Sequence, residues 1–286
     1  MDSPTVLRRR LGSELRRLRE RTGRQAKTVA DELGFSATKV SRIESGQTTL
    51  KESDVRAMLE LYGVSDAVEL RQFISLTRRS TQRGWWHDYA DTLPDWFQTY
   101  VGLEADAARI RGYEVELVPG LLQTADYARA MFRVSPVGLS VPEVERRVGL
   151  RIQRQEVFHR PIAPDVEVVL NESAFRRPVG GPEVMLSQVE HLIELAHKPR
   201  ITIRILPFSL GSHPAMSSAF HILSFADVPG DIVYVEALTS SLYLEKAEDI
   251  AHHELVFEQL TDAAMSPDES RAWMQELAIK GHGHGD

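Results

Sequence analysis

The segment from Ala30 to Gly46 constrains this chain more than any other. Ala30 is small enough to let two helices cross closely. Gly34, four residues on, permits a turn with positive φ that a side chain resists. Ser36 suits the N-cap of a second helix, and Gly46 suits the stop just past its last turn. Val40 and Ile43, three apart, give that helix a buried edge. Ala37, Thr38, Lys39, Ser41 and Arg42 are small, polar or basic. Short side chains allow close approach, and cations suit phosphates and guanine edges. The second helix therefore has the composition of one that enters a DNA groove.

The flanks read as further helices. Leu7, Leu11, Leu15 and Leu18 share one face, with Arg8, Arg9, Arg10, Arg16, Arg17 and Arg19 around the rest. Ser53 and Asp54 are expected to cap a helix carrying Val55, Met58, Leu59 and Tyr62, ended by Gly63. Glu44 is expected to pair with Arg16 or Arg17 and so tie the second helix of the motif to the first of the chain. From Val6 to Val64, with Lys39-Val-Ser-Arg-Ile-Glu-Ser-Gly46 as its most specific piece, the chain resembles the Xre, or phage-repressor-like, helix-turn-helix family. The resemblance implies that the helix beginning near Ser36 reads the major groove. It also implies a phosphate-holding glutamine near the start of the preceding helix, a position that falls at Ala26, one residue after Gln25. The expected DNA contacts are Arg42 to a guanine edge, Lys39 to backbone or base, and Ala37 and Thr38 to bases or a thymine methyl. Ser36, Ser41, Gln47 and Gln25 are the phosphate candidates.

Charge supports the same division. The net charge of −7 is uneven: residues 1–63 hold 13 Lys/Arg against 9 Asp/Glu, a net of +4, and the rest 21 against 32, a net of −11. A basic head on an acidic body suits a duplex-binding module joined to a part that does not touch DNA. The 286 residues are enough for two domains. Absence of cysteine excludes disulfides and thiolate metal sites and fits a reducing compartment. With no apolar signal core and no long apolar run, a soluble cytoplasmic protein without membrane contact is expected.

The expected organisation is a helix-turn-helix domain at 1–65, a helix at 66–83 that links the domains or packs beneath the first, an α/β domain at 84–280 and a flexible tail at 281–286. The fold class is multidomain: an N-terminal all-α domain followed by a larger α+β domain with a small mixed sheet. Six aromatics fall within residues 85–100, among them Trp85, Trp86, Trp96 and Tyr100. They either line a ligand or partner site or form the packed seam between helices. Residues 100–130 read as a helical pattern with a turn at Pro119-Gly120. Gly84-Trp-Trp-His, Leu93-Pro-Asp-Trp-Phe, Val101-Gly-Leu-Glu-Ala and Leu117-Val-Pro-Gly-Leu-Leu-Gln-Thr-Ala-Asp-Tyr127 resemble the uncharacterised domain that follows the helix-turn-helix in many actinobacterial regulators. That resemblance implies transcription factors whose large domain senses a small ligand or binds a small partner protein encoded nearby.

Further on, helices are expected at 146–159, 184–197, 245–262 and 267–280, and strands at 166–170, 201–206, 220–225 and 232–236, with a hairpin turn at Asp227–Asp231. No reaction centre emerges. His252-His253-Glu254 lacks the spacing that puts two imidazoles on one helix face and reads as a solvated surface. The His282–Asp286 tail would hold a metal only adventitiously. Asn171, Glu172 and His213 lie in polar loops at sheet ends. The reading is a non-enzymatic, sequence-specific transcriptional regulator with no cofactor, no metal and no catalytic residues, dimeric on an inverted-repeat operator. The C-terminal domain is the expected dimerising element. The rivals are a DNA-binding autoregulator fused to a toxin-like or catalytic domain, and a protein-interaction scaffold.

Overall fold

The computed structural model describes residues 3–135, 138–226 and 230–282. Part of the turn expected at Asp227–Asp231 and nearly all of the His282–Asp286 tail lie outside them. The chain divides into two compact units. The first takes in the residues to Asp88 and Gln98–Asp106; the second takes in Tyr89–Phe97, Ala107–Phe225 and the chain from Gly230. Among the described residues no helix is long and apolar enough to cross a membrane.

The first unit is helical: α1 (Pro4–Arg21), α2 (Ala26–Leu33), α3 (Ala37–Glu44), α4 (Glu52–Leu61) and α5 (Ala67–Ser80), followed by α6 (Asp95–Glu104), which contributes residues to both units. Ser3 caps α1 by accepting the Val6 N–H, and Pro4 occupies the first turn, where a missing N–H costs nothing. Leu11, Leu15 and Leu18 of α1 share one core with Val40 and Ile43 of α3 and with Phe73 and Ile74 of α5. The helix expected as a linker is therefore part of the first unit, packed beneath it as its alternative reading had it. Asp66 caps this helix, accepting the Val68 and Glu69 N–H groups at 3.0 and 2.8 Å. Helix α4 starts earlier than Ser53-Asp54 allows, with Lys51 at the N-cap; Glu52 and Asp54 lie in its first turn, where carboxylates face the positive end of the helix dipole. The start of α1 is fastened within the same unit: Ser3 Oγ donates to the Gly102 carbonyl at 2.8 Å, and the Ser3 N–H to the Asp106 carboxylate.

The second unit is built on one six-stranded sheet. Its elements in chain order are β1 (Arg109–Glu114), α7 (Ala125–Arg133), α8 (Val141–Gln155), β2 (Asp165–Asn171), α9 (Ser173–Arg176), α10 (Pro182–Leu195), β3 (Ile201–Leu206), β4 (Phe220–Ser224), β5 (Ile232–Glu236), β6 (Ser241–Leu244), α11 (Ala247–Ala263) and α12 (Pro267–His282). The strand order is β3-β2-β1-β4-β5-β6. β1, β2 and β3 pair in parallel, which requires the helical crossovers between them; β4 to β6 continue antiparallel. Phe257 and Leu260 of α11 bury against Tyr113, Val169, Ile222 and Val233 of the sheet.

The helical reading of residues 100–130 holds at its ends, in α6 to Glu104 and in α7 from Ala125, and is corrected in the middle, where it hides the central strand β1. Arg109, Arg111 and Glu114 interrupt its apolar run. In the sheet these charges are matched: Arg109 to Glu167 at 2.9 Å, and Arg111 to Asp231 at 3.2 Å and Glu254 at 2.8 Å. β6 is also absent from the expectation, being a short edge strand.

Burial lowers the pKa of His87, His191 and His213, with Arg8 and Arg83 adding to the effect at His87. An unfolded histidine titrates near about 6.5. As pH falls through that value the unfolded chain takes up protons that the folded one refuses, so stability is present above it and lost below it. The thermal midpoint is expected to fall between pH 7 and pH 5, and less steeply in His191→Gln, as measured by far-UV circular dichroism.

Candidate nucleic-acid interface

The turn between α2 and α3 is built as its residues predict. Gly34 has φ +65°, and the Phe35 N–H bonds back to the Ala30 carbonyl at 2.8 Å. Ser36 Oγ accepts the Lys39 N–H at 3.0 Å and caps α3. Gly46, at φ +69°, ends that helix, with the Gln47 N–H returning to the Arg42 carbonyl at 2.8 Å. Ala30 is buried, and a further close approach lies at Gly12. A Cβ at Gly12 of α1 would stand 2.4 Å from the Ile43 carbonyl oxygen and 2.7 Å from that of Glu44. The backbone of α3 thus rests directly on α1.

The expected pairing of Glu44 is corrected. Its carboxylate receives Nε and Nη2 of Arg19 at 2.6 and 2.9 Å, in a bidentate pair with side chains only 12% and 8% exposed. Arg16 pairs with Glu20 and Arg17 with Glu14, both on the solvent side. Helix α3 is therefore held on α1 by a backbone contact and a nearly buried ion pair.

What remains outward is a narrow arc. At about 100° per residue, Ala37, Ser41, Thr38 and Arg42 span about 140°, and Lys39 falls about 60° beyond Arg42, next to Ile43. Ser36, Ala37, Thr38, Ser41, Arg42 and Gln47 are exposed; Val40 and Ile43 are buried. Among the described residues the Arg42 side chain has no ion-pair partner. Lys39 is only partly exposed: its Nζ lies 3.0 Å from Asp54 Oδ2 and 3.4 Å from the centre of the Phe35 ring. Gln25 stands exposed at the N-cap of α2 with a free cap, and Ala26 behind it is half-buried.

Two rings of the aromatic segment are buried, and Trp85, Tyr89, Trp96 and Phe97 are partly exposed. Trp86 and Tyr100 are buried. Trp86 lies flat enough on its neighbours that a Cβ at Gly84 or Gly102 would come within 2.3 or 2.8 Å of its ring. Trp85 meets Trp86 edge-on at 6.0 Å. Trp85, Trp86 and Tyr100 belong to the first unit, whereas Trp96 belongs to the second, where its carbonyl accepts the Tyr243 hydroxyl at 2.6 Å. Trp86 is thus packed against glycine backbone, and Tyr100 is buried in the same unit.

In the second unit, β3 ends and β4 begins at the same end of the sheet, with β2 and β1 between them. The connection at 207–219 must cross the carboxyl ends of β2 and β1, which brings His213 to Tyr113 and Asn171. Asn171 Oδ1 accepts the Ser173 N–H at 3.0 Å, leaving its amide nitrogen to donate to Tyr113 Oη at 3.3 Å. The Tyr113 hydroxyl proton is then free to point at His213 Nε2, also 3.3 Å away. Glu172 is buried, which opposes its charge, yet the Phe208 N–H at 2.9 Å and Arg176 hold its carboxyl below the usual range. The solvated reading of His252-His253-Glu254 is corrected: only His252 is exposed. His253 bonds the Asp249 carbonyl and packs on Phe220, and Glu254 meets Arg111. Among the described residues no three His, Cys, Asp or Glu side chains are grouped to hold a metal ion.

Two family models match the chain. Residues 10–73 match a helix-turn-helix domain, and residues 97–276 match a domain of unknown function, DUF5753. No curated protein and no solved structure matches. The first match agrees with the α2–turn–α3 geometry and makes DNA binding, with a role in transcription regulation, the function of the N-terminal unit. The second spans more than half the chain and takes in the whole six-stranded sheet. The chain therefore belongs to the family defined by DUF5753, carried behind a DNA-binding helix-turn-helix domain.

Proposed function

We propose that this chain is a sequence-specific transcriptional regulator of Xre type, of the kind found in actinobacteria. It acts in the cytoplasm as a homodimer on an inverted-repeat operator. Its larger unit receives a small ligand or a small partner protein and has no catalytic role. The observation that carries the reading is Arg42, without an ion-pair partner among the described residues, on an exposed arc of small side chains presented by a helix anchored through Gly12 and the Arg19–Glu44 pair. An anchored helix loses little freedom on docking, so its contacts are realised as discrimination between bases.

Selection of bound sequences from random duplexes by the full-length protein tests this. A palindromic consensus is expected. Arg42→Ala is expected to weaken operator binding by about 1–3 kcal/mol, roughly 5- to 150-fold, and to relax the preference at one position per half-site. An unchanged consensus and footprint would overturn the assignment.

The convergence of Tyr113, Asn171 and His213 at the carboxyl ends of parallel strands favours one alternative, a catalytic unit fused to a DNA-binding autoregulator. Catalysis there would be lost in His213→Ala and Asn171→Ala with duplex binding retained.

A further inference from the structure

We infer that Asp54 is a specificity determinant of the DNA-reading unit: it holds Lys39 away from phosphate, so that non-cognate duplex meets one cation fewer than the recognition helix carries. The inference rests on the DNA-reading function proposed above.

The two cations of α3 are in different situations. Arg42 lies on the outward arc and has no ion-pair partner among the described residues. Lys39 lies on the flank beside buried Ile43, and its ammonium is occupied twice. Asp54, in the first turn of α4, approaches it at 3.0 Å, and the Phe35 ring lies 3.4 Å beneath it. The side chains are 40% and 24% exposed, so this pair is open to solvent and exchangeable. Each attachment is weak by itself, and a phosphate oxygen offers Lys39 the same kind of partner as Asp54 does. Four methylenes let the ammonium swing from flank to backbone while the helix stays in place.

Asp54 therefore acts in two ways. It occupies a cation that would otherwise raise affinity for any phosphate backbone, and it adds a negative charge beside the reading surface. Sequence-independent affinity is set largely by the number of phosphates neutralised. Withholding one cation lowers that background while leaving Arg42 free to read. On a cognate site, docking through Arg42 brings a phosphate within reach of Lys39, which then exchanges partners.

The test uses full-length protein and a labelled random-sequence duplex, with affinity measured by fluorescence anisotropy over a salt series. Asp54→Asn is expected to raise affinity for this duplex several-fold at low salt. The plot of log affinity against log salt is expected to steepen by about 0.9, the slope of one added phosphate contact. In a Lys39→Met background the same Asp54→Asn change is expected to leave the slope where it was. Melting curves of each variant confirm that the unit is folded. The inference is overturned if Asp54→Asn leaves the slope unchanged, or if it steepens the slope equally without Lys39, because Asp54 would then act through its general field. Wild-type protein that binds no duplex at any salt would instead overturn the DNA-reading proposal, and this inference with it.

Discussion

Gly12→Val is expected to destabilise the first unit by about 3 kcal/mol or more and to abolish operator binding. Glycine inside a helix usually costs stability, so filling such a position with a side chain ordinarily helps. Here the sign reverses. The new Cβ would lie 2.4 and 2.7 Å from the carbonyl oxygens of Ile43 and Glu44, which are backbone atoms and cannot rotate aside. Relief requires α3 to lift from α1, the displacement that spoils presentation of Arg42. Even Gly12→Ala should lower the thermal midpoint. Gly149 of α8 is the control, since its Cβ would meet only Tyr89 Oη at 4.0 Å. Gly149→Ala should be neutral or stabilising by about 0.5–1 kcal/mol. Circular dichroism melting of the two alanine variants shows a lowered midpoint for Gly12→Ala and no lowering for Gly149→Ala if the contact at Gly12 is as close as described.

Glu44→Ala is expected to cost about 3 kcal/mol, because it strands a guanidinium that is 12% exposed. Arg19 then keeps its bond to the Arg24 carbonyl at 2.8 Å, which does not neutralise charge, and a looser approach to the exposed Glu20 carboxylate at 3.7 Å. Glu44→Gln retains one acceptor and should lose less. Arg16→Ala and Arg17→Ala remove only exposed pairs and should stay within about 0.5 kcal/mol. Urea unfolding ranks the four variants, and comparable losses at Arg17 and Glu44 would contradict the pairing.

The helix-turn-helix is legible because its signals are local: a cap at Ser36, a left-handed glycine at Gly34, a stop at Gly46 and apolar spacing at Val40 and Ile43. What escapes is the set of partners across space. Arg19 follows Leu15 by four and Leu18 by one, so its position on the helix, at the margin of the buried face, distinguishes it from Arg16 and Arg17. The same wheel moves Lys39 off the outward arc. Gly12 carries no local signal, since its role depends on the backbone of a helix some thirty residues away. In the larger unit, β2 and β3 announce themselves as apolar runs. β1 does not, because Arg109 and Arg111 find their carboxylates only once the sheet is assembled. The site proposed at Lys39 and Asp54 lies in two helices that the sequence locates, but their approach depends on how α4 packs.

The clasp on Ser3 has a consequence for how the protein is made. The partners of Ser3 stand 99 and 103 residues downstream, at Gly102 and Asp106. On the ribosome α1 leaves the exit tunnel long before either, so the nascent DNA-reading unit waits with its first helix unfastened, as contacts of high sequence separation form late. A fragment stopped at residue 65 would lack the clasp and also Phe73 and Ile74 of the shared core. Gene dissection that spares this unit must run past Asp106.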